Sequence, residues 1–470
     1  MYRFALIVIA LHLYSNAFAQ LTPSEKLQVD EVFKTWSGKE NPGAALGIVK
    51  DGKLIYSRGY GLADLEHNVP ITDSTIFYIG SVSKQFVTMG LLLLEEQGKL
   101  SLDDRIQKYL PDFPEYGAPL TIRHFIHHTS GVRDNLTLWI LSGQDLLDHI
   151  DKDEMYQMIR RQKELNFAPG EKYLYSNSCY FLLGLIIEKV SGESLHDFGQ
   201  HQIFGPLGMK HTFFGDDNTR IIKNRAFSYQ AMKGRFQNQI MRFDLVGSGG
   251  VYSNIRDLYL WDQNFYHNRL GKQSQSLIEK MHVEGKLNNG TSSGYAFAII
   301  NGKYRDLPTV SHTGALAGYR SHLLRFPAQK TSVIILGNVI PIPIDQLPYQ
   351  VADIVLKEQM SPVVKETKSQ AQLINHENPS ITVTDPGAFA GSYYSEELDV
   401  TYTITSNANE VFVSVRGRKP VVMQCKGVDQ FDVQLQGAEM KLQFERDGQG
   451  KVTGFSVDAG RVTHIRFAKR

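Results

Sequence analysis

The sequence predicts an α+β fold: one sheet assembled from two distant stretches of chain, a helical region inserted between them, and a small all-β barrel behind. Three observations carry that expectation. "AALGIVKDGKLIYSRGYG" (44–61) alternates about Asp51-Gly52, a preferred hairpin turn pair. "PTVSHTGALAGYRSHLLRFPAQKTSVIILGNV" (308–339) returns to strands, over Thr309–Thr313, Tyr319–Phe326 and Thr331–Leu336, whereas residues 81 to about 280 mix apolar helical runs with Pro- and Gly-rich loops. From Gly387 onward the chain breaks into short alternating strands, "DVTYTIT", "EVFVSV", "FDVQLQG" and "MKLQFERDGQGKVTGFSVD", separated by Gly and Asp turns.

Taken in order, "MYRFALIVIALHLYSNAFAQ" has a charged Arg3, an apolar run over 4–13 and Ala17-Phe18-Ala19. That is the pattern of a secretory leader cut after Ala19, so residues 1–19 are expected to be removed and the protein to be periplasmic or secreted. An amphipathic stretch spans Pro23 to Trp36, ahead of the first hairpin. Residues 345–358 close the main domain (20–358) with a helix; 359–385 lose periodicity and read as a linker, and 386–470 form the all-β domain. No later stretch offers about 18 uninterrupted apolar residues, so no transmembrane anchor is expected after processing.

The chain has 470 residues, 42% hydrophobic and 21% charged, as a soluble globular protein of more than one domain should. Loss of Arg3 from 50 Lys and Arg against 49 Asp and Glu leaves the mature chain neutral. Nothing in that balance points to nucleic acid. The two cysteines, Cys179 and Cys425, permit one long-range disulfide and do not demand it. His124, His127 and His128 have helical spacing that could hold a metal, but no HExxH motif or nearby carboxylate accompanies them. A hydrogen-bonding role is the better reading, and no metal or cofactor is expected.

Chemistry enters at "YIGSVSKQFVTMG" (78–90), where Ser81 and Lys84 stand three residues apart at the start of an apolar, interior helix. That spacing puts both side chains on one face. A buried lysine with a lowered pKa could take the serine proton, and a helix N-terminus favours the developing anion. The stretch alone leaves open a capping serine beside a lysine that snorkels to the surface. Two further stretches weigh on the choice. "FAPGEKYLYSNSCYFLLG" sets Tyr175-Ser176-Asn177 on a turn before another apolar helix, Tyr180 to Val190: the tyrosine can shuttle a proton and Asn177 can hold a substrate amide. "VSHTGALAG" places His312-Thr313-Gly314-Ala315 at a strand end, where Gly314 lets a substrate backbone approach closely and pair along the edge.

Ser81-Val82-Ser83-Lys84, Tyr175-Ser176-Asn177 and His312-Thr313-Gly314 resemble, in order, the three motifs of penicillin-recognising serine hydrolases. The Tyr-x-Asn form resembles the branch with class C β-lactamases, D-Ala-D-Ala carboxypeptidases and D-aminopeptidases. "LTIRHFIHHTSGV", "PLGMKHTFF" and "GSGGVYSNIRDLYLW" are similar to that family too, over residues 25–358. The resemblance implies a β-lactamase/transpeptidase-like sheet, Ser81 as acylated nucleophile, Lys84 and Tyr175 sharing general-base and general-acid work, and Asn177 on a substrate amide. It implies an oxyanion hole from the backbone N–H groups of Ser81 and Ala315. His312 stands where most β-lactamases carry lysine, which tilts the expectation from antibiotic destruction toward D-amino-acid peptides, amides or esters. "GSYYSEELDVTYTI" (391–404) and the strands after it resemble lipocalin-like domains attached to some of these hydrolases.

The substrate expected on this reading is a small peptide, amide or ester, with cell-wall peptide among the candidates. Within the enzyme class a β-lactamase or esterase remains open, and outside it a penicillin-binding sensor without turnover. An α/β-hydrolase is disfavoured because no G-x-S-x-G elbow exists, and Cys179 lacks any base.

Overall fold

The computed structural model describes residues 20–362 and 383–470. The leader read over 1–19, and most of the linker read over 359–385, lie outside them. Helix α1 (Pro23–Val32) starts on a capping box in which Thr22 and Glu25 satisfy each other's backbone N–H groups. Strands β1 (Ala44–Lys50) and β2 (Lys53–Tyr60) form the expected hairpin. Its turn residues Asp51 and Gly52 both have positive φ, 48° and 76°, the geometry of a type I′ turn.

Further strands β3 (Ile300–Tyr304), β4 (Leu307–Leu316), β5 (Tyr319–Phe326) and β6 (Thr331–Gly337) complete a six-stranded sheet in the order β3-β4-β5-β6-β1-β2. The two ends of the domain meet where Ala44–Lys50 pair antiparallel with Thr331–Gly337. The pleat sorts the side chains. Ala45, Val49, Ile334 and Leu336 join the core on the helical side. Ala44, Leu46, Ile48, Val333 and Ile335 join a second core beneath α1 and the closing helix at Leu347–Val355. Both faces are therefore covered, which explains why β1 and β6 read as nearly continuous apolar runs.

On the helical side, α2 (Lys84–Glu96) packs beside α3 (Asn177–Ser191). Every residue from Lys84 to Leu94 is buried, as the all-round apolar pattern requires. Ser81 itself lies one turn earlier, in a 3₁₀ turn over Gly80–Ser83 that runs directly into α2.

After residue 383 the chain forms a closed eight-stranded barrel, β7–β14, from Gly391–Ser395 to Val462–Lys469. Its first and last strands pair at Tyr393–Lys469, so no edge is left open. Sequence alternation singles out fewer strands than closure requires: Gly391–Ser395, Val421–Gly427 and Val462–Lys469 are not among those it marks. The interior is filled by aromatic rings, with Phe444–Phe455 centroids 5.1 Å apart and Phe455–Phe467 stacked at 4.7 Å.

The barrel is seated on the helical side of the main domain. Tyr402 donates to the Leu141 carbonyl at 2.7 Å and Arg416 to that of Ser142 at 2.7 Å. Beneath them lies a buried ion pair, Arg133 to Glu397 at 2.6 Å, both side chains almost without exposure. Gln162 also accepts from Arg133, and the Lys163 backbone N–H donates to Glu397. Breaking such a pair strands a charge away from water. Glu397→Ala should therefore cost about 3–5 kcal/mol, read as a lowered urea midpoint of the full chain together with faster proteolysis between barrel and main domain.

Candidate active site

The three sequence motifs, separated by more than two hundred residues, meet in one cavity of about 670 Å³ lined by Ser81, Tyr175, Asn177, His312, Thr313 and Ala315 among others. Lys84 lies behind Ser81 and is 0% exposed. Its Nζ lies 3.0 Å from Ser81 Oγ, 2.9 Å from Asn177 Oδ1 and within hydrogen-bond reach of the Ser248 carbonyl. The orientation of Asn177 is settled by Asp134, whose Oδ2 accepts from Asn177 Nδ2 at 2.9 Å and from its backbone N–H at 2.7 Å. Oδ1 therefore faces Lys84 as an acceptor, and so does Ser248 O. These two take two N–H groups, leaving the third position of the amine toward Ser81.

Burial pushes the Lys84 pKa well below 10.5, with Asp134 opposing and Arg461 assisting. A neutral amine has one lone pair, and among the described residues its hydrogen-bond partner able to donate into it is the Ser81 hydroxyl. The arrangement can thus take the serine proton, and the lysine does not snorkel. Tyr175 presents a buried hydroxyl that makes no hydrogen bond of good geometry among the described residues. Burial raises its pKa while the Ser81 hydroxyl and Arg461 pull it back, so it is held as a neutral phenol. An unpaired buried donor is costly, about 1–3 kcal/mol, and is available to an incoming group.

The third motif lies on β4. Strand β3 pairs only with Leu307–Ser311, so residues 312–316 have no strand partner on that side among the described residues. This is the open edge at which a substrate backbone could be added. Gly314 and Gly80 pack back to back: a Cβ on Gly314 would sit 2.1 Å from the Ile79 carbonyl oxygen and 2.9 Å from Ser81 N, and one on Gly80 2.6 Å from Ala315 N. Only two glycines allow the Ser81 and Ala315 amides to come this close.

His312 differs from a cationic residue in kind. Its Nδ1 is 2.6 Å from the Thr313 carbonyl, which can only accept, so Nδ1 carries the proton and Nε2 accepts from the Tyr295 hydroxyl at 2.8 Å. Burial, reinforced by Lys84, pushes its pKa down to about 3. His312 is neutral, and both ring nitrogens are already used.

The histidine cluster does not converge on a metal position. His124 caps its helix at Thr121, His127 donates to the Tyr295 carbonyl, and His128 accepts from Ser176 N while its ring packs tilted against Tyr175 at 4.2 Å. Cys179 is buried against Ser130, and burial pushes its thiol up to about 11; Cys179 and Cys425 are both free. The pattern reading missed Asp134, Ser248, Tyr295 and Arg461. Asp134 and Ser248 adjoin or lie within quoted stretches (120–132 and 247–261), so proximity was their signal. Tyr295 and Arg461 carried none.

Ala in place of Gly314 should drive Ser81 N and Ala315 N apart. We expect ester hydrolysis by Gly314→Ala to fall about 10²-fold or more, measured beside a circular dichroism spectrum unchanged from the parent.

A model of the family described as Beta-lactamase matches residues 29–343. The chain is 28% identical over 331 residues to Penicillin-binding protein 4* of Bacillus subtilis (strain 168), covering 67% of this chain and 72% of that one. It is 28% identical over 298 residues to a D-aminopeptidase of Gluconobacter oxydans (strain 621H), covering 63% of this chain and spanning 56% of that protein's length. Among solved structures, the octameric penicillin-binding protein homologue from Pyrococcus abyssi superposes with a TM-score of 0.64 at 24% identity, over 95% of this chain and 100% of the other.

Proposed function

This chain belongs to the Beta-lactamase family, and from that premise we propose that it is an exported hydrolase that cleaves D-amino-acid-containing peptides or amides through an acyl-enzyme on Ser81. That it is a serine hydrolase of the β-lactamase fold follows from its relatives. The observation that carries the mechanism is the dehydrated Lys84 amine 3.0 Å from Ser81 Oγ.

In this reading Ser81 Oγ attacks the substrate carbonyl carbon as its proton passes to Lys84. The N–H groups of Ser81 and Ala315 hold the oxyanion. The leaving nitrogen takes a proton from Tyr175, a neutral phenol at this depth, and the ammonium of Lys84 restores that proton before water releases the acyl group. Asn177, with one Nδ2 hydrogen bonded to Asp134, has its second hydrogen for a substrate carbonyl. Thr313 and the free edge of β4 align the substrate backbone. The D-peptide class is supported by the D-aminopeptidase and penicillin-binding relatives and by the neutrality of His312; cell-wall peptide is one member of that class. Export rests on the leader pattern of residues 1–19, and recovery of a mature N-terminus at Gln20 from outside the cytoplasm would test it.

The acylation test is an intact-mass time course with a penicillin. A persistent adduct on the parent chain, missing in Ser81→Ala, is expected. Penicillin consumption without an adduct would move the reading to a β-lactamase, and hydrolysis by Ser81→Ala would sink the nucleophile. Acylation by a neutral ester should be present at high pH and lost as pH falls through the lowered Lys84 pKa, because only the unprotonated amine can accept a proton. Tyr175→Phe should slow amide cleavage by about 10²–10⁴-fold and an activated ester far less, since its leaving group needs no proton.

A further inference from the structure

The cavity wall includes one residue from the barrel. Arg461 sits in the turn between Val452–Ala459 and Val462–Lys469, the last barrel hairpin, and reaches into the space above Tyr175. Its backbone is fastened to the main domain: its carbonyl accepts from Asn166 Nδ2 at 2.9 Å, and the Thr463 N–H donates to Asn166 Oδ1 at 2.9 Å. Its guanidinium lies 4.7 Å above the Tyr175 ring. The nearest carboxylate oxygen, Asp134 Oδ2, is 3.8 Å from Nη1 and already accepts two hydrogen bonds from Asn177. Among the described residues, no N–H of the Arg461 side chain makes a hydrogen bond, and the side chain is 45% exposed.

The remaining charges sharpen the point. No carboxylate lines the cavity among the described residues. Arg320, the other lining cation, donates through Nη1 to the carbonyls of Ala317 and Tyr319. His312 is neutral with both nitrogens engaged, and Lys84 is used beneath Ser81. A planar guanidinium with free donors, over the residue that faces the leaving group, is built to receive a carboxylate.

We propose that Arg461, delivered by the barrel, is the specificity-determining residue of this site, and that the preferred substrate carries a carboxylate on the Tyr175 side. The inference deepens the acyl-enzyme reading and rests on it for what is cleaved. It also gives the barrel a role in substrate choice.

Binding to the full chain carrying Ser81→Ala separates recognition from turnover. By isothermal titration, N-acetyl-D-alanyl-D-alanine should bind about 10- to 100-fold more tightly than its C-terminal amide, the range for a hydrogen-bonded charge pair. Arg461→Gln in the same background should erase the difference, and Arg461→Lys should keep part of it, both variants melting as cooperatively as the parent. A third probe, N-acetyl-D-glutamyl-D-alanine amide, distinguishes the source: tighter binding of this compound than of the alanyl amide, lost in Arg461→Gln, assigns the side-chain carboxylate. Equal binding of all three compounds, a carboxylate preference that survives Arg461→Gln, or no measurable binding of any of the three overturns the proposal. Hydrolysis of p-nitrophenyl acetate by the parent against Ser81→Ala decides the acyl-enzyme reading separately. Its failure would remove that reading and leave the binding comparison to stand alone.

Discussion

A lysine amine taken fully out of water is the constraint around which this site is organised. Leaving Lys84 ionised and unpaired there would cost several kcal/mol. The fold answers with two acceptors, Asn177 Oδ1 and Ser248 O, that direct the amine toward Ser81. Each acceptor has its own support. Asn177 is held by Asp134, and Ser248 belongs to a glycine-flanked loop in which Gly250 N donates to the Tyr78 hydroxyl. Displacing any one of these would re-aim the amine, so segments from four parts of the chain depend on one nitrogen.

The same logic of burial explains the aromatic surroundings. Tyr175, His128, Tyr180 and Tyr295 pack ring to ring around Lys84, with Nζ 4.8 Å over the Tyr175 ring and 5.5 Å over Tyr180. These rings exclude water, which lowers the basicity of the amine and of His312 together. Around the serine the groups are neutral, and the cavity's cations among the described residues are Arg320 on the main-domain wall and Arg461 from the barrel. Arg133, paired with Glu397 beneath the barrel, also donates through Nη2 to the His464 carbonyl at 3.2 Å, three residues beyond Arg461.

Much of this was legible in local pattern. The hairpin at Asp51-Gly52, the strands over 309–336 and the interior character of α2 each depend on near neighbours, and the structure has them where periodicity puts them. Barrel closure was harder to read, since Tyr393–Lys469 pairing joins strands at opposite ends of the domain and Val421–Gly427 does not alternate cleanly. In the site, the spacing of Ser81 and Lys84 already implies a shared face, and Tyr175 and Asn177 stand in a short motif on a turn. Tyr295 serves His312 from a loop with no motif, and its role exists only through a contact across space.

The sequence by itself determined the α+β plan, the terminal barrel, the three motifs and the neutral residue type at His312, because each is a matter of local spacing or of side-chain chemistry. Tertiary structure decided which way the protons lie. Whether a lysine is charged depends on how much water the surrounding rings remove, and whether a histidine can bind an anion depends on what already occupies its two nitrogens. It decided, too, that a turn near the C-terminus completes a cavity begun at residue 78, since only folding brings Arg461 above Tyr175.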